Sequence, residues 1–565
     1  MKPRLSPKPF SENEVVRLVW IAIFISVFSW LFYKRREEVL LYGDAVAHIN
    51  IARRVFDSQT PGLLQLGTVW LPLPHLLIMP FIVSDKMWQS GLGGSIPSMA
   101  GFVFGVLGIF RLMRIVLSRD GEIDEEAKVW AWVAALSYAA NPNLIYIQTT
   151  AMGESLYLVF FIWAAVYFAE WVQSLPRRSK QARPDRLLIK CGFCLLAACW
   201  TRYDGWFLAG VMVIGVIAVL AKFAAAENQQ PGSISRNGVA RFVLLAAAGP
   251  VLWLAYNAAV YRNPLEFVNG SYSAKAIEEK TATVNPGKGD LLASGSYFLK
   301  AAQMNVGETP WQGRLWLAFA LIGAVAAFST SRGLSALLLW TPLPFYALSV
   351  AYARIPIFVP AWWPFSTYNV RYGLELLPAF AIFVPLGISF AAAYGAKLFR
   401  LQASQARWSP IIAILAWLVL ALVSYGAIWH ADPICYHEAA VNMRPRVRLD
   451  GQLVNWLKSF PPNSTLLMYL GEHSGALEEA GIPLRHTINE GNHRVWKQPT
   501  DPDGLWERAL ANPAAYADYV IGVEGDPVWK AARAAHLTEL VEIHTTGQPP
   551  AAIFQGRSAS RNVNP

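Results

Sequence analysis

Charge is scarce in this sequence, and so is cysteine. Only 15% of its 565 residues are Asp, Glu, Lys or Arg, against roughly 25% in an ordinary soluble domain. Hydrophobic residues reach 54% and the mean hydropathy is +0.32. This balance excludes a string of soluble domains, a disordered chain, a collagen and a coiled coil, and it points to a polytopic membrane protein. The 4 cysteines are too few for a disulfide scaffold. Cys191, Cys194 and Cys199 share one apolar run, KCGFCLLAACW, with no histidine beside them. They read as small packing residues rather than metal ligands, and Cys435 stands alone, so no disulfide is expected. The chain also lacks a GxxxxGKS/T loop, an HExxH helix, a GxSxG elbow and paired CxxC motifs at zinc spacing. Energy from ATP is therefore not indicated. A group to be transferred must arrive already activated, or the protein only transports. No solenoid repeat is present, and the inverted symmetry common in transporters is not evident. The net charge of +10 fits basic loops beside anionic lipid, with no nucleic acid as partner.

Apolar windows long enough to span a bilayer fall near 16–33, 96–117, 129–147, 153–173, 187–203, 206–224, 241–260, 315–329, 334–352, 374–395 and 410–429, about eleven helices. The stretch 69–83, VWLPLPHLLIMPFIV, is short and proline-rich, and reads as a re-entrant or interfacial piece. No small-residue cleavage site follows the first window, so an uncleaved first helix is expected. The basic loops SLPRRSKQARPDR and AKLFRLQASQARW place the N-terminus in the cytoplasm, although KRR at 34–36 argues the other way. An odd helix count then puts the C-terminus outside. Residues 1–429 form the expected transmembrane bundle, with exterior loops 35–92, 261–314 and 353–373. Residues 430–565 alternate strand-like runs (STLLMYL, IPLRHTI, ADYVIGV, LTELVEIH, AAIFQG) with helix-like ones, as an exterior α/β domain would.

Several ionisable residues collect at the exterior ends of these spans. Asp44 and His48 lie four apart in GDAVAHINIARR and share one face of an amphipathic helix expected on the membrane surface. Asp44 either caps that helix or carries chemistry. Glu154 opens a span in TTAMGESLYL, where the helix dipole alone would favour an acid. Arg202 and Asp204 occupy the short turn TRYDGW, as a local pair or as part of a site. Ionisable groups at such depth are costly unless paired or facing a cavity. Arg371 sits among Tyr368, Asn369 and Tyr372 in TYNVRYGLEL. A guanidinium fork flanked by aromatics at headgroup depth suits a phosphate; a snorkelling Arg in an aromatic belt is the plain alternative. The tail GKGDLLASGSYFLKAAQ looks like a second surface helix.

This order of motifs resembles the GT-C superfamily of membrane glycosyltransferases, in the style of protein O-mannosyltransferases and lipid A aminoarabinose transferases. The resemblance rests on GDAVAH, the following LPLPHLL, TTAMGES, TRYDGW and YNVRYGL, and covers about 35–430. It implies a GT-C-like helical bundle with a C-terminal exterior domain. It further implies a polyprenyl-phosphate sugar donor and transfer, with inversion, to a glycan, lipid or protein acceptor on the outer face of a bacterial or archaeal plasma membrane. Asp44 is then the general base, Glu154 and Asp204 orient the acceptor or tune it, and Arg371 and Arg202 bind the phosphate. His48, His75, Tyr368, Asn369 and Tyr372 are the remaining substrate contacts. The chain departs from the mannosyltransferases at Ala45, where they carry a second acid, and from the oligosaccharyltransferases at WWPF, which lacks the Asp of their WWD. No cofactor is required. A divalent metal on Asp44, Glu154 and Asp204 is not favoured, because carboxylates without a DxD cluster make a weak oxygen cage. The competing readings are a transporter or flippase for a lipid-linked sugar, and an assembly or receptor protein that leaves these residues without a role.

Overall fold

The computed structural model describes residues 12–118, 124–175, 184–225, 236–270, 273–281, 285–328, 331–398, 408–471, 473–494 and 501–557. The basic stretches within 176–183 and 399–407, on which the expected orientation rests, lie outside the described residues. Among the described residues, 9 helices are long and apolar enough to cross a membrane: Asn13–Arg35, Leu92–Leu117, Glu154–Ser174, Asp204–Lys222, Arg236–Tyr261, Pro310–Phe328, Gly333–Tyr352, Val370–Leu398 and Ser409–Leu457. The two other expected spans are helical as well, but differ in kind. At 129–147 the chain forms Glu125–Ala139, then restarts at Pro142–Ile147. The restart is built from Asn141, whose side chain accepts from Leu144 N–H at 2.9 Å, followed by a proline at the first helical position. The helix Pro184–Thr201 carries Asp185, Arg186 and Lys190 in its first two turns.

Small residues set how closely the bundle packs. On Leu92–Leu117, a Cβ at Gly101 would stand 2.8 Å from the Ser155 carbonyl oxygen, and one at Gly105 would stand 2.8 Å from the Tyr138 hydroxyl. Close approach of this kind replaces the hydrophobic drive that lipid removes. Ser155 Oγ also donates to the Ser98 carbonyl at 2.8 Å. The two contacts at Ser155 set the start of Glu154–Ser174, and with it the Glu154 side chain.

The polar face of the helix Gly43–Arg54 is not open to water. Eight of its residues are buried, His48, Asn50 and Arg53 among them. Its polar face is covered by protein: Arg53 pairs with Asp57 at 2.7 Å and with Asp85 at 2.7 Å, and Asn50 meets a helix of the C-terminal domain. The helix Pro72–Ile82 packs on it too.

The last span breaks at Asp432, which takes φ +68°, and Ile434–Leu457 leads into a five-stranded sheet. Its strands are β1 Leu466–Met468, β2 Thr487–Ile488, β3 Tyr519–Val523, β4 Glu539–Ile543 and β5 Ala551–Gln555, in the order β2-β1-β3-β5-β4. β2, β1 and β3 are parallel, and β5 runs antiparallel to both β3 and β4. Every strand-like run of the sequence holds one of them. Alternation divides the faces: Leu467, Val520, Ala552 and Phe554 pack with Trp506, Val528 and Ala532, whereas Leu466, Met468, Ile521 and Ile553 join the core shared with the bundle.

At the seam, Asn50 Nδ2 donates to Glu478 Oε2 at 2.8 Å, and Asn50 Oδ1 accepts from Trp88 Nε1 at 3.1 Å. Burial pushes the Glu478 carboxyl up to about 8, against the opposing pulls of the Asn50 hydrogen bond and the Lys34 charge. A carboxyl raised from 4.5 to about 8 on folding favours docking below the lower value, and that contribution is lost as pH rises through the upper one. Glu478→Gln keeps an acceptor for Asn50 and cannot ionise. Its thermal midpoint in detergent is expected to exceed wild type at about pH 9 and to match it at about pH 5; equal midpoints at both would mean that the seam does not hold a neutral acid.

Candidate active site

Arg371 is held by three carboxylates from three distant parts of the chain. Its Nη2 donates to Asp44 Oδ2 at 2.6 Å, its Nε to Glu154 Oε1 at 3.2 Å, and its Nη1 to Glu438 Oε1. Local structure explains the aim. Asn369 adopts φ +56°, a left-handed conformation that Asn tolerates better than most residues, and the chain then enters the tight turn Val370–Leu376. From below, Asn305 Nδ2 donates to the Val370 carbonyl at 2.8 Å, and the Asn305 carbonyl accepts from Asn141 at 2.7 Å and Asn143 at 3.2 Å.

Arg202 forms the second half of the cluster. Its Nη1 donates to the same Glu154 Oε1 at 3.0 Å, its Nε to Asp204 Oδ2 at 3.1 Å, and its Nη2 to Tyr346 Oη at 2.8 Å; Glu375 Oε1 lies 3.2 Å from Nε. Tyr346 donates to Glu375 Oε1 at 2.6 Å. Glu154 thus bridges the two guanidinium groups. Both also lie within cation–π reach of Tyr372, with Arg202 4.9 Å and Arg371 5.1 Å from its ring centroid.

Exposure is uneven, and this decides what can move. The side chains of Glu154, Asp204, Glu375 and Glu438 are 3% exposed or less, whereas that of Asp44 is 38% exposed. Asp44 does not cap its helix: Tyr42 occupies the cap position, and Asp44 lies in the first turn with its carboxylate on Arg371. Glu154 Oε2, Asp204 Oδ1 and Glu375 Oε2 are buried with no hydrogen-bond partner among the described residues. Such oxygens are costly to leave unmet.

His48 Nδ1 and His75 Nε2 are 2.9 Å apart, and the His48 ring packs 4.9 Å from Trp70. Burial lowers His48 to about 4 and His75 well below its usual value, so both are neutral near pH 7. Tyr368 is partly exposed, and its backbone pairs with Phe358. Asn369 does not face the cluster with its amide, which donates to the Pro356 carbonyl at 2.8 Å. Asp44, Glu154, Arg202, Asp204, Arg371 and Tyr372 therefore converge, the histidine pair lies beside them, and Asn369 shapes the turn. Sequence reasoning missed Tyr346, Glu375 and Glu438. Glu375 carried a signal, one helical turn after Arg371, although it serves Arg202; Tyr346 and Glu438 carried none.

Among the described residues, no group of three or more His, Cys, Asp or Glu side chains is placed to hold a metal ion. Asp44, Glu154 and Asp204 each commit an oxygen to a guanidinium, and this donor set does not fit a divalent cation as it stands.

No family model matches the chain, and no curated relative matches it in sequence. Solved structures do. ArnT from Cupriavidus metallidurans bound to undecaprenyl phosphate aligns at a TM-score of 0.54 and 14% identity, over 97% of this chain and 99% of that chain. The same protein in the apo state aligns at 0.54 and 15%, over 96% and 98%. The archaeal oligosaccharyltransferase AglB from Archaeoglobus fulgidus, in complex with an inhibitory peptide and a dolichol-phosphate, is a fainter likeness: TM-score 0.47 and 12% identity over 98% of this chain and 75% of that chain. The chain shares its fold with ArnT, a GT-C transferase, which is the class that its motif order resembles. ArnT is a lipid A aminoarabinose transferase of that fold.

The histidine pair gives a pH dependence. His48 falls from 6.5 to about 4 on folding, so its contribution is present above the higher value and lost as pH drops through the lower. Wild type is expected to lose on the order of 3 kcal/mol across that window from this group. His48→Gln should show a shallower fall of thermal midpoint between about pH 7 and 4; an unchanged slope would mean that His48 is not held neutral.

Proposed function

We propose that this protein is an inverting glycosyltransferase. It moves a sugar from a polyprenyl-phosphate carrier to a glycan, lipid or protein acceptor at the outer face of a bacterial or archaeal plasma membrane. In this reading the N-terminus is cytoplasmic, the bundle ends near 429 and the domain 430–565 is exterior. The observation that carries it is the Arg371 fork with Asp44, its one well-exposed partner, on one edge. The ArnT structure bound to undecaprenyl phosphate supports a carrier of that class.

The chemistry follows from the charges. A donor phosphate brings negative charge to a place where five carboxyl groups already surround two guanidinium groups. It enters by competing for guanidinium N–H groups, and Asp44 is the partner free to give way. Donor binding then releases the base beside the anomeric carbon. Asp44 takes the proton of an acceptor hydroxyl while its oxygen attacks that carbon from the face opposite the phosphate. The carbon–oxygen bond to phosphate breaks, configuration inverts, and the carrier leaves as a polyprenyl phosphate anion. Phosphate is a good leaving group, so one base suffices. Arg371 and Arg202 stabilise the charge that grows on the departing oxygen. The unmet oxygens of Glu154 and Asp204 suit hydroxyl donors of a sugar, and neutral His48, with His75 behind it, can accept or donate without adding charge. Exposed Tyr368 offers its ring to the sugar, and Tyr372 holds the two guanidinium groups that meet the phosphate.

The test offers a panel of radiolabelled polyprenyl-phosphate sugars to purified protein in nanodiscs, with membrane extract as acceptor. Wild type is expected to turn over one donor, and Asp44→Asn to lose about 10²–10⁴ in rate. Full activity in Asp44→Asn would remove Asp44 as the base.

A further inference from the structure

We infer that Glu438, on the helix that leads into the C-terminal domain, is a positioning residue for this transfer: it fixes the Arg371 guanidinium so that only one edge is offered to the donor phosphate. The inference rests on the glycosyltransferase reading above. Both carboxylate oxygens are engaged with the same turn. Oε2 accepts from the backbone N–H of Val370 at 2.6 Å and of Arg371 at 3.3 Å, and Oε1 accepts from Arg371 Nη1. Glu438 is 1% exposed, and a carboxylate at such a place is costly in desolvation until its contacts offset it. A neutral amide would serve the two backbone donors nearly as well. The charged form is matched to the Arg371 side chain, not to the turn alone.

The helix that bears Glu438 is itself held against the bundle. Cys435 N–H donates to Asn143 Oδ1 at 2.9 Å, Tyr42 Oη donates to the Cys435 carbonyl at 2.7 Å, and Asn442 Nδ2 donates to the Thr367 carbonyl at 2.9 Å. Tyr42 is two residues before Asp44, and its ring lies 5.2 Å from the Arg371 guanidinium carbon. Glu154 on Nε and Glu438 on Nη1 therefore clamp the fork from two buried sides, leaving Nη2 toward exposed Asp44. Rotating the fork by one nitrogen would move the strongest donors off the departing oxygen. A small misplacement of this kind lowers turnover more than binding.

Glu438→Gln separates the two effects. It removes a negative charge that competes with phosphate for Arg371, so undecaprenyl phosphate should bind to the variant in nanodiscs as tightly as to wild type, or more tightly. Turnover with the active donor of the panel should fall at least tenfold per folded protein. A residue that only stabilised the fold would lower both together. If Glu438→Gln is not recovered folded, Glu438→Asp keeps the charge, retracts it by one methylene, and should show the same retained binding with reduced turnover. Turnover that is lost in Asp44→Asn and Arg371→Gln but kept in the Glu438 variants would overturn this inference alone. Turnover that is insensitive to Asp44 and Arg371, or absent in wild type with every donor, would overturn the functional reading and this inference with it.

Discussion

A buried guanidinium group has to be neutralised, and here three carboxylates share that task. Arg371 draws Asp44 from the first loop, Glu154 from the head of a span, and Glu438 from the helix behind the last span. The surrounding architecture reads as the means of meeting that requirement. Gly101 lets its helix close on the head of the Glu154 helix, three asparagines brace the turn before Arg371, and the C-terminal domain covers the helix that bears Asp44.

The same arrangement gives the site a direction. Four of its acids are buried and one is not, so the cluster is stiff on its inner side and can yield at Asp44. That asymmetry lets the proposed general base also be an ion-pair partner of Arg371. Arg371 holds Asp44, and in the proposed reaction a competing phosphate exchanges with it. Under that proposal reactivity is tied to the presence of donor, and water in an empty site meets an acid already engaged.

Much of this was legible in the sequence, for a physical reason. Asp44, Glu154, Arg202, Asp204 and Arg371 interrupt apolar surroundings where an ionisable side chain is a cost, so each stands out without its partners being known. The five strand-like runs stood out by alternation. What could not be read was who pairs with whom. The partners of Arg371 are 327, 217 and 67 residues away along the chain, and no local pattern records such pairing. Glu438 lies in a segment where acids are ordinary, and Tyr346 in a run where an aromatic is ordinary. The helix Gly43–Arg54 was expected at the lipid surface because amphipathicity says only that one face is polar. It does not say whether water, headgroups or a second domain will meet that face, and here Glu478, Asp57 and Asp85 do.

The central claim is that phosphate and Asp44 compete for one guanidinium. The most direct test is a structure of the protein in nanodiscs with undecaprenyl phosphate bound. The account predicts a phosphate oxygen within about 3 Å of an Arg371 nitrogen, Glu154 and Glu438 still in place, and Asp44 turned away and free. Phosphate bound elsewhere, with the Asp44–Arg371 pair unbroken, would contradict it.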